Sequence, residues 1–299
     1  MQFKRIKRNI HGVLLLDKPL GYSSNQALQK VKWLFQASKA GHTGTLDPLA
    51  TGLLPICLGE ATKFAQYVTD ADKTYIANIK LGIKTTTGDA EGEMITTNPV
   101  NVSQQQFEKA CKQFIGNISQ IPPMHSALKH EGKALYKYAR EGLEIERKAR
   151  HVTIQDITVV SLHGSDAVVN VRCSKGTYIR TLAEDIGSTL GCDAHLTGLR
   201  RTETAGYNIQ DALRIDQLET LSIEQRDQLL LPVDSAIDML PKVDISADAA
   251  YYFRKGQAIW EPGQIPDGSL RIYEDGGAFI GLGMRMQDGK IGPKRLVNL

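Results

Sequence analysis

The sequence predicts an α+β fold for residues 1–239 and a small all-β domain for residues 240–299. Three observations carry this. In the first part, apolar runs and period-two alternations are interleaved with segments whose apolar residues recur at helical spacing. After Pro232 the texture changes to short strand-like runs separated by Gly256, Gly263, Gly276, Gly281 and Gly289, the pattern of a small β-barrel. No apolar run approaches the ~18–20 residues a membrane helix needs, so no membrane partner is expected.

The elements follow in order. Residues 13–16 form an apolar run that stops at Asp17-Lys18-Pro19, where proline removes a donor. Ser23 or Ser24 is a natural N-cap for a helix bearing Ala27, Leu28, Val31, Leu34 and Phe35 on one face. Residues 41–52 hold Gly41, Gly44, Pro48 and Gly52 and read as a loop. A buried strand at 53–58 precedes a helix with Ala61, Phe64, Ala65 and Val68 on one face. Tyr75, Ala77, Ile79, Leu81 and Ile83 alternate as in a half-buried strand. Phe107, Cys111, Phe114 and Ile115 suggest a helix. Pro122-Pro123 opens a lysine- and tyrosine-rich segment running to His151. A strand at 167–173, a Ser174-Lys175-Gly176 turn and a helix bearing Ile179, Leu182, Ala183, Ile186 and Leu190 come next.

Composition places the chain among soluble globular proteins, with 41% hydrophobic and 23% charged residues in 299. The basic N-terminal residues Lys4, Arg5, Lys7 and Arg8 precede no apolar h-region with a cleavage site, so a cytoplasmic location is expected. Cys57, Cys111, Cys173 and Cys192 lack zinc-ligand spacing and read as buried thiols. Net charge is only +3, but it is unevenly spread: residues 129–150 carry seven Lys/Arg against four acids. Such segments suit a phosphate backbone and equally suit solvated helix faces. No Gly-Lys-Ser/Thr phosphate loop, no complete dinucleotide fingerprint and no His-Glu-x-x-His occurs.

Asp47 precedes a proline, which biases it to extended backbone on a loop shaped by glycines. Such a residue either presents a reactive carboxylate or simply starts a turn. His42, five residues earlier, reads as a base, a stacking face or a structural histidine; metal ligation lacks a second ligand. Arg180 falls in the first turn of a predicted helix, where the dipole disfavours a cation by roughly 0.3–1 kcal/mol. A nearby carboxylate or phosphate would offset that cost; a solvated surface arginine is the plain alternative. Tyr75 and Tyr178 are core tyrosines or stacking faces.

Together these segments resemble the TruB family, bacterial synthases of pseudouridine 55 in the T-loop of tRNA. The resemblance covers nearly the whole chain. It includes Leu16-Asp17-Lys18-Pro19 with Gly21, Ser23 and Ser24, then Gly41-His42-Thr43-Gly44-Thr45-Leu46-Asp47-Pro48. Lys73-Thr74-Tyr75, residues 85–92 and Pro122-Pro123-Met124-His125-Ser126-Ala127-Leu128-Lys129 follow. Leu135-Tyr136-Lys137-Tyr138-Ala139-Arg140, Ser174-Lys175-Gly176-Thr177-Tyr178-Ile179-Arg180 and Gly198-Leu199-Arg200-Arg201 complete the set. One departure is His125, where relatives often carry tyrosine.

The resemblance implies a pseudouridine synthase fold, a mixed and largely antiparallel central sheet flanked by helices, followed by a PUA-like barrel. It implies that Asp47 is the essential carboxylate, attacking C1′, attacking C6 or removing a sugar proton. It pairs Arg180 with Asp47, stacks Tyr75 on the uracil with a part in late proton transfer, and lines the base pocket with Tyr178 and Leu199. His42 would fill the place of the flipped nucleotide. Lys18, Lys63 and residues 129–150 would contact phosphates, the last acting as a mobile lid within an RNA-gripping segment at about 122–151. Asp89 would anchor the active-site loop. No cofactor is implied. The implied partner is the T-arm of tRNA, with no guide RNA, bound by a monomer. Rival readings are a two-carboxylate glycosidase using Asp47 and Asp89, an RNA-folding module, and the same chemistry on another RNA.

Overall fold

The computed structural model describes residues 7–299; Lys4 and Arg5 of the basic N-terminal stretch lie outside the described residues. Strand β1 (Gly12–Lys18) is apolar at consecutive positions because it is buried on both faces. Leu14 and Leu16 enter one core, whereas Val13 and Leu15 enter another. Helix α1 (Ser24–Leu34) starts at Ser23, whose side chain accepts from the Gln26 N–H while Gln26 reaches back to the cap. Strand β2 (Ala40–His42) and strand β3 (Ala50–Leu58) bracket the glycine-rich loop, so the regular structure begins closer to Asp47 than the sequence suggested.

The single helix expected around Phe64 is two pieces: a 3-10 turn at Gly59–Lys63 and helix α2 (Ala65–Asp70). Ala61, Phe64 and Val68 still share one core, which explains their helical spacing. Strand β4 (Lys73–Leu81) alternates buried and open positions as expected. A hairpin of β5 (Ile83–Thr85) and β6 (Met94–Thr97) carries Ile83, so the longer alternation crosses two strands. Helix α3 (Gln104–Lys112) ends before Phe114, which packs on the core from the following turn. After β7 (Gly116–Gln120), residues 122–149 contain only a two-residue hairpin, β8 (Lys129–His130) with β9 (Lys133–Ala134), and helix α4 (Leu135–Arg140).

Strands β10 (Arg150–His163) and β11 (Asp166–Cys173), helix α5 (Ile179–Thr189) and strand β12 (Ala194–Thr204) complete the frame. The main sheet runs β1-β3-β12-β4-β11-β10-β7. All neighbours along that path are antiparallel except β12 with β3, so the sheet is mixed and largely antiparallel. The short strands β2 and β13 (Tyr207–Asn208) flank it, and helices α6 (Ile215–Thr220) and α7 (Ile223–Asp227) follow.

The glycine-punctuated tail forms a four-stranded sheet of β14 (Lys242–Ile245), β15 (Ser269–Glu274), β16 (Ala278–Arg285) and β17 (Ile291–Leu296). Helix α8 (Ala247–Arg254), capped by Ser246, packs Ala250 and Phe253 on it. This sheet abuts the first part: Phe64 and Phe279 meet edge-on at 5.7 Å, and Leu282 and Val297 join the core around Phe64.

Candidate active site

The position of β12 organises the site. It lies between β3 and β4, so Arg201 is opposite Gly52 on one side and Tyr75 on the other. Leu199 sits two residues back on the same face, opposite Ala50 and Ala77. The loop 43–49 crosses in front of these residues and is held by buried contacts. Thr43 donates to the Pro55 carbonyl through both its amide and its hydroxyl, at 3.2 and 3.1 Å. The buried Ser24 hydroxyl accepts from the Leu46 N–H at 2.7 Å and donates to the Leu46 carbonyl at 2.9 Å. Gly21 N–H donates to the Pro48 carbonyl at 2.9 Å. Asp47 is thereby fixed between two anchored neighbours.

Arg180 approaches from the first turn of α5. That turn is set by Gln120, which accepts from the Tyr178 N–H at 3.0 Å and donates to the Tyr178 carbonyl at 3.3 Å. Arg180 is buried, not solvated. Its guanidinium lies 3.0 Å from Asp47 and 3.3 Å from Asp89. It also donates to the carbonyls of Thr87 at 3.2 Å and His125 at 2.6 Å. Two carboxylates and two carbonyls offset both desolvation and the unfavourable helix dipole. Asp89 is itself held by the Thr87 hydroxyl at 2.5 Å and the Glu91 N–H at 3.1 Å.

Asp47 and Arg180 lie at a cleft of about 730 Å³ that Tyr75, Tyr178, His42, Leu199 and Arg201 also line. Asp47, Arg180, Tyr75, Tyr178, His42 and Leu199, all singled out from the sequence, therefore meet in one place. Burial pushes the Tyr75 and Tyr178 phenols above their ordinary range; the Arg201 guanidinium opposes this at Tyr75. Burial, then the nearby Arg201 charge, holds His42 below its ordinary value, so its imidazole is neutral at pH 7. A neutral flat ring suits stacking.

Lys18 departs from expectation. Lys18 is fully buried, and its ammonium donates to the carbonyls of Pro19, at 3.1 Å, and Tyr22. It is shielded from any phosphate, and burial pushes its pKa down to about 8. Lys63 donates to Glu60 at 2.6 Å and to the Leu296 carbonyl at 2.8 Å, tying the 3-10 turn after β3 to the C-terminal sheet, and it does not line the cleft. Among the described residues no cluster of three or more His, Cys, Asp or Glu side chains could hold a metal ion. The four cysteines are free and buried.

Sequence reasoning assigned no role in the site to Arg201 or Gln120. Leu199 and Arg201 stand two apart in one strand, and that spacing placed them on one face. Ser24 was weighed only as a cap, yet its hydroxyl points to the loop.

Residues 32–179 match the TruB family pseudouridylate synthase (N terminal domain), 180–238 the tRNA pseudouridylate synthase B C-terminal domain, and 241–297 the Pseudouridine synthase II TruB, C-terminal family. A protein of Methylobacillus flagellatus named tRNA pseudouridine synthase B is 59% identical over 297 residues, covering 99% of this chain and 98% of its own. The chain belongs to the TruB family of pseudouridylate synthases. A second tRNA pseudouridine synthase B, from Neisseria meningitidis serogroup B, is 54% identical over 92% of this chain and 90% of its own. Among solved structures, a Cbf5-Nop10-Gar1 complex is similar at TM-score 0.72 and 27% identity, covering 95% of this chain and 84% of the matched one. The TruB family fold accounts for the mixed sheet, and its C-terminal unit for the small PUA-like sheet.

As a TruB family member this chain is an isomerase, and the cleft offers what such chemistry requires. One carboxylate is half exposed, a buried cation holds it, and aromatic and apolar walls can retain a detached base. Asp89 does not line that cleft. It shares one guanidinium with Asp47 instead of facing it across a substrate gap, which argues against a two-carboxylate hydrolase.

Proposed function

We propose that this enzyme converts uridine 55 in the T-loop of tRNA to pseudouridine, with Asp47 as its essential carboxylate. The N1–C1′ bond breaks, the uracil turns within the pocket, and C5 bonds to C1′. The C5 proton is then removed and N1 gains one, so the product is an isomer. No cofactor enters this scheme. The observation that carries the reading is the Asp47–Arg180 pair at 3.0 Å, with the carboxylate open to the cleft and the guanidinium sealed behind it. A fixed cation holds the carboxylate aimed at the cleft.

Around that pair we assign roles by position in the cleft. Tyr75 stacks on the uracil and assists the late proton transfer. Tyr178 and Leu199 enclose the base, so that it does not diffuse away once detached. His42 stacks in the gap left by the flipped nucleotide, an arrangement its neutral ring supports. Residues 122–151 close over the bound RNA, with Arg150 at the cleft rim. Residues 1–239 form the catalytic domain, and residues 240–299 a PUA-like RNA-binding domain. The tRNA names of the close relatives support this substrate. We assign the enzyme to the cytoplasm, acting as a monomer without guide RNA.

The test is mass-resolved mapping of pseudouridine in tRNA from cells lacking this protein, together with a T-arm stem-loop treated with the purified enzyme. Loss of pseudouridine at position 55 alone, restored by the wild-type gene, is expected. Intact modification at 55, or release of free uracil in vitro, would overturn the reading.

A further inference from the structure

We propose that Arg201 is a positioning residue for the reaction, fixing the spacing between the Asp47 loop and Tyr75. Arg201 is 1% exposed and heads the fully buried side chains by volume. Its guanidinium is met by backbone: Nε donates to the Leu53 carbonyl at 2.7 Å and Nη2 to the Gly44 carbonyl at 3.4 Å. Tyr75, its cross-strand neighbour, lies close enough for the guanidinium to oppose the rise that burial causes in the phenol's pKa. A buried cation held mainly by neutral acceptors is costly, and nothing in the sheet register requires a charge there. An apolar side chain would fill a central strand more favourably.

The three partners explain what the charge does. Gly44 lies three residues before Asp47, and Leu53 follows it at the start of the buried part of β3. One planar group therefore ties the start of the loop that carries Asp47 to the strand that follows it. Tyr75 is the cross-strand neighbour of Arg201, so the same group holds the phenol that faces the base pocket. The backbone accommodates this. Gly44, at φ +110°, takes a backbone conformation that favours glycine, and its carbonyl meets Arg201 there. A side chain at Gly52 would bring its Cβ within 2.3 Å of the Arg201 carbonyl, so β3 passes β12 closely only with glycine there. Three groups aimed in fixed directions suit a guanidinium fork and not an ammonium.

This inference rests on the roles proposed for Asp47 and Tyr75. The test measures kcat and KM with a tRNA transcript for wild type, Arg201→Met and Arg201→Lys. Single-turnover rates are added for Tyr75→Phe with and without Arg201→Lys. Arg201→Met is expected to lower kcat by about thirtyfold or more with KM within about threefold, and Arg201→Lys to recover part of the loss. In the Tyr75→Phe background Arg201→Lys should cost clearly less than in wild type, because the shared hydroxyl is already gone. If thermal melting shows that Arg201→Met does not fold, Arg201→Lys and the double variant carry the test. A raised KM with unchanged kcat, or equal losses in both backgrounds, would overturn the proposal. A wild-type enzyme inactive on uridine would instead sink the proposed function itself.

Discussion

Asp47 and Arg180 are joined at 3.0 Å, yet the Asp47 side chain is 42% exposed while that of Arg180 is 6% exposed. The asymmetry gives the pair a direction. Arg180 has no freedom to follow a moving partner, because Asp89 and the carbonyls of Thr87 and His125 hold it. Asp47 keeps one face toward the cleft.

Asp47→Asn preserves size and removes the charge. We expect pseudouridine formation to fall by at least ~10³-fold, with RNA affinity within about tenfold of wild type, since the carboxylate serves chemistry more than binding. Single-turnover isomerisation and a filter-binding titration on the same RNA check this. Normal turnover by the variant would remove Asp47 from its role.

Ser24 acts on the same carboxylate from behind. Its hydroxyl holds both backbone polar groups of Leu46, the residue before Asp47. Ser24→Ala leaves those buried groups unpaired, at about 1–3 kcal/mol. It should also lower kcat, since a loop displaced by a fraction of an ångström misaligns its reactive group. Chemical denaturation and steady-state kinetics read the two effects separately. A destabilised variant with wild-type kcat would show that the anchor serves stability alone.

Much of this was legible in the sequence because the signals were local. Ser23 or Ser24 ahead of an apolar stripe marked α1, and the alternation from Tyr75 marked β4. The misfit of Arg180 with its helix dipole left a carboxylate, a phosphate or a solvated surface position open, and two carboxylates are there. What could not be read depended on distant partners. Lys18 resembles a surface lysine until the turn at residues 19–22 folds its carbonyls over the ammonium. Lys63 is claimed by Leu296, 233 residues away. Strand β12 carries Gly198 and two consecutive arginines, so no apolar run marks it. β10 is interrupted by two register shifts that break its alternation. The small C-terminal sheet was foreshadowed by its glycines, whereas α8 was not.

The cleft rim carries basic groups suited to a phosphate backbone. Arg150 is exposed there, and Lys175 pairs with Asp70 at 3.0 Å on the surface. RNA affinity should fall log-linearly with salt, and Arg150→Gln should reduce the slope by about 1. Titrations across a range of potassium chloride concentrations measure both. A flat response would exclude phosphate contacts as the main source of affinity.

The buried lysine makes stability depend on pH in a defined direction. Lys18 has a pKa of about 8 in the folded protein, against an ordinary 10.5, because burial disfavours its charged form. Between those values the unfolded chain binds more protons than the folded one, so raising pH favours folding. The contribution is complete above the unfolded value and is lost as pH falls through about 8. Lys73, also pushed down to about 8 by burial, adds in the same sense. The buried thiols Cys57 and Cys111 act oppositely. Burial pushes both up to about 12, so their stabilisation is lost as pH rises above 9. The clean measurement is therefore the difference between wild type and Lys18→Met in urea unfolding from pH 7 to pH 10. That difference should move in favour of wild type by about 1 kcal/mol per pH unit above about 8. A gap independent of pH would mean that Lys18 stays charged in the folded protein, held by the Pro19 and Tyr22 carbonyls and the field of Asp47.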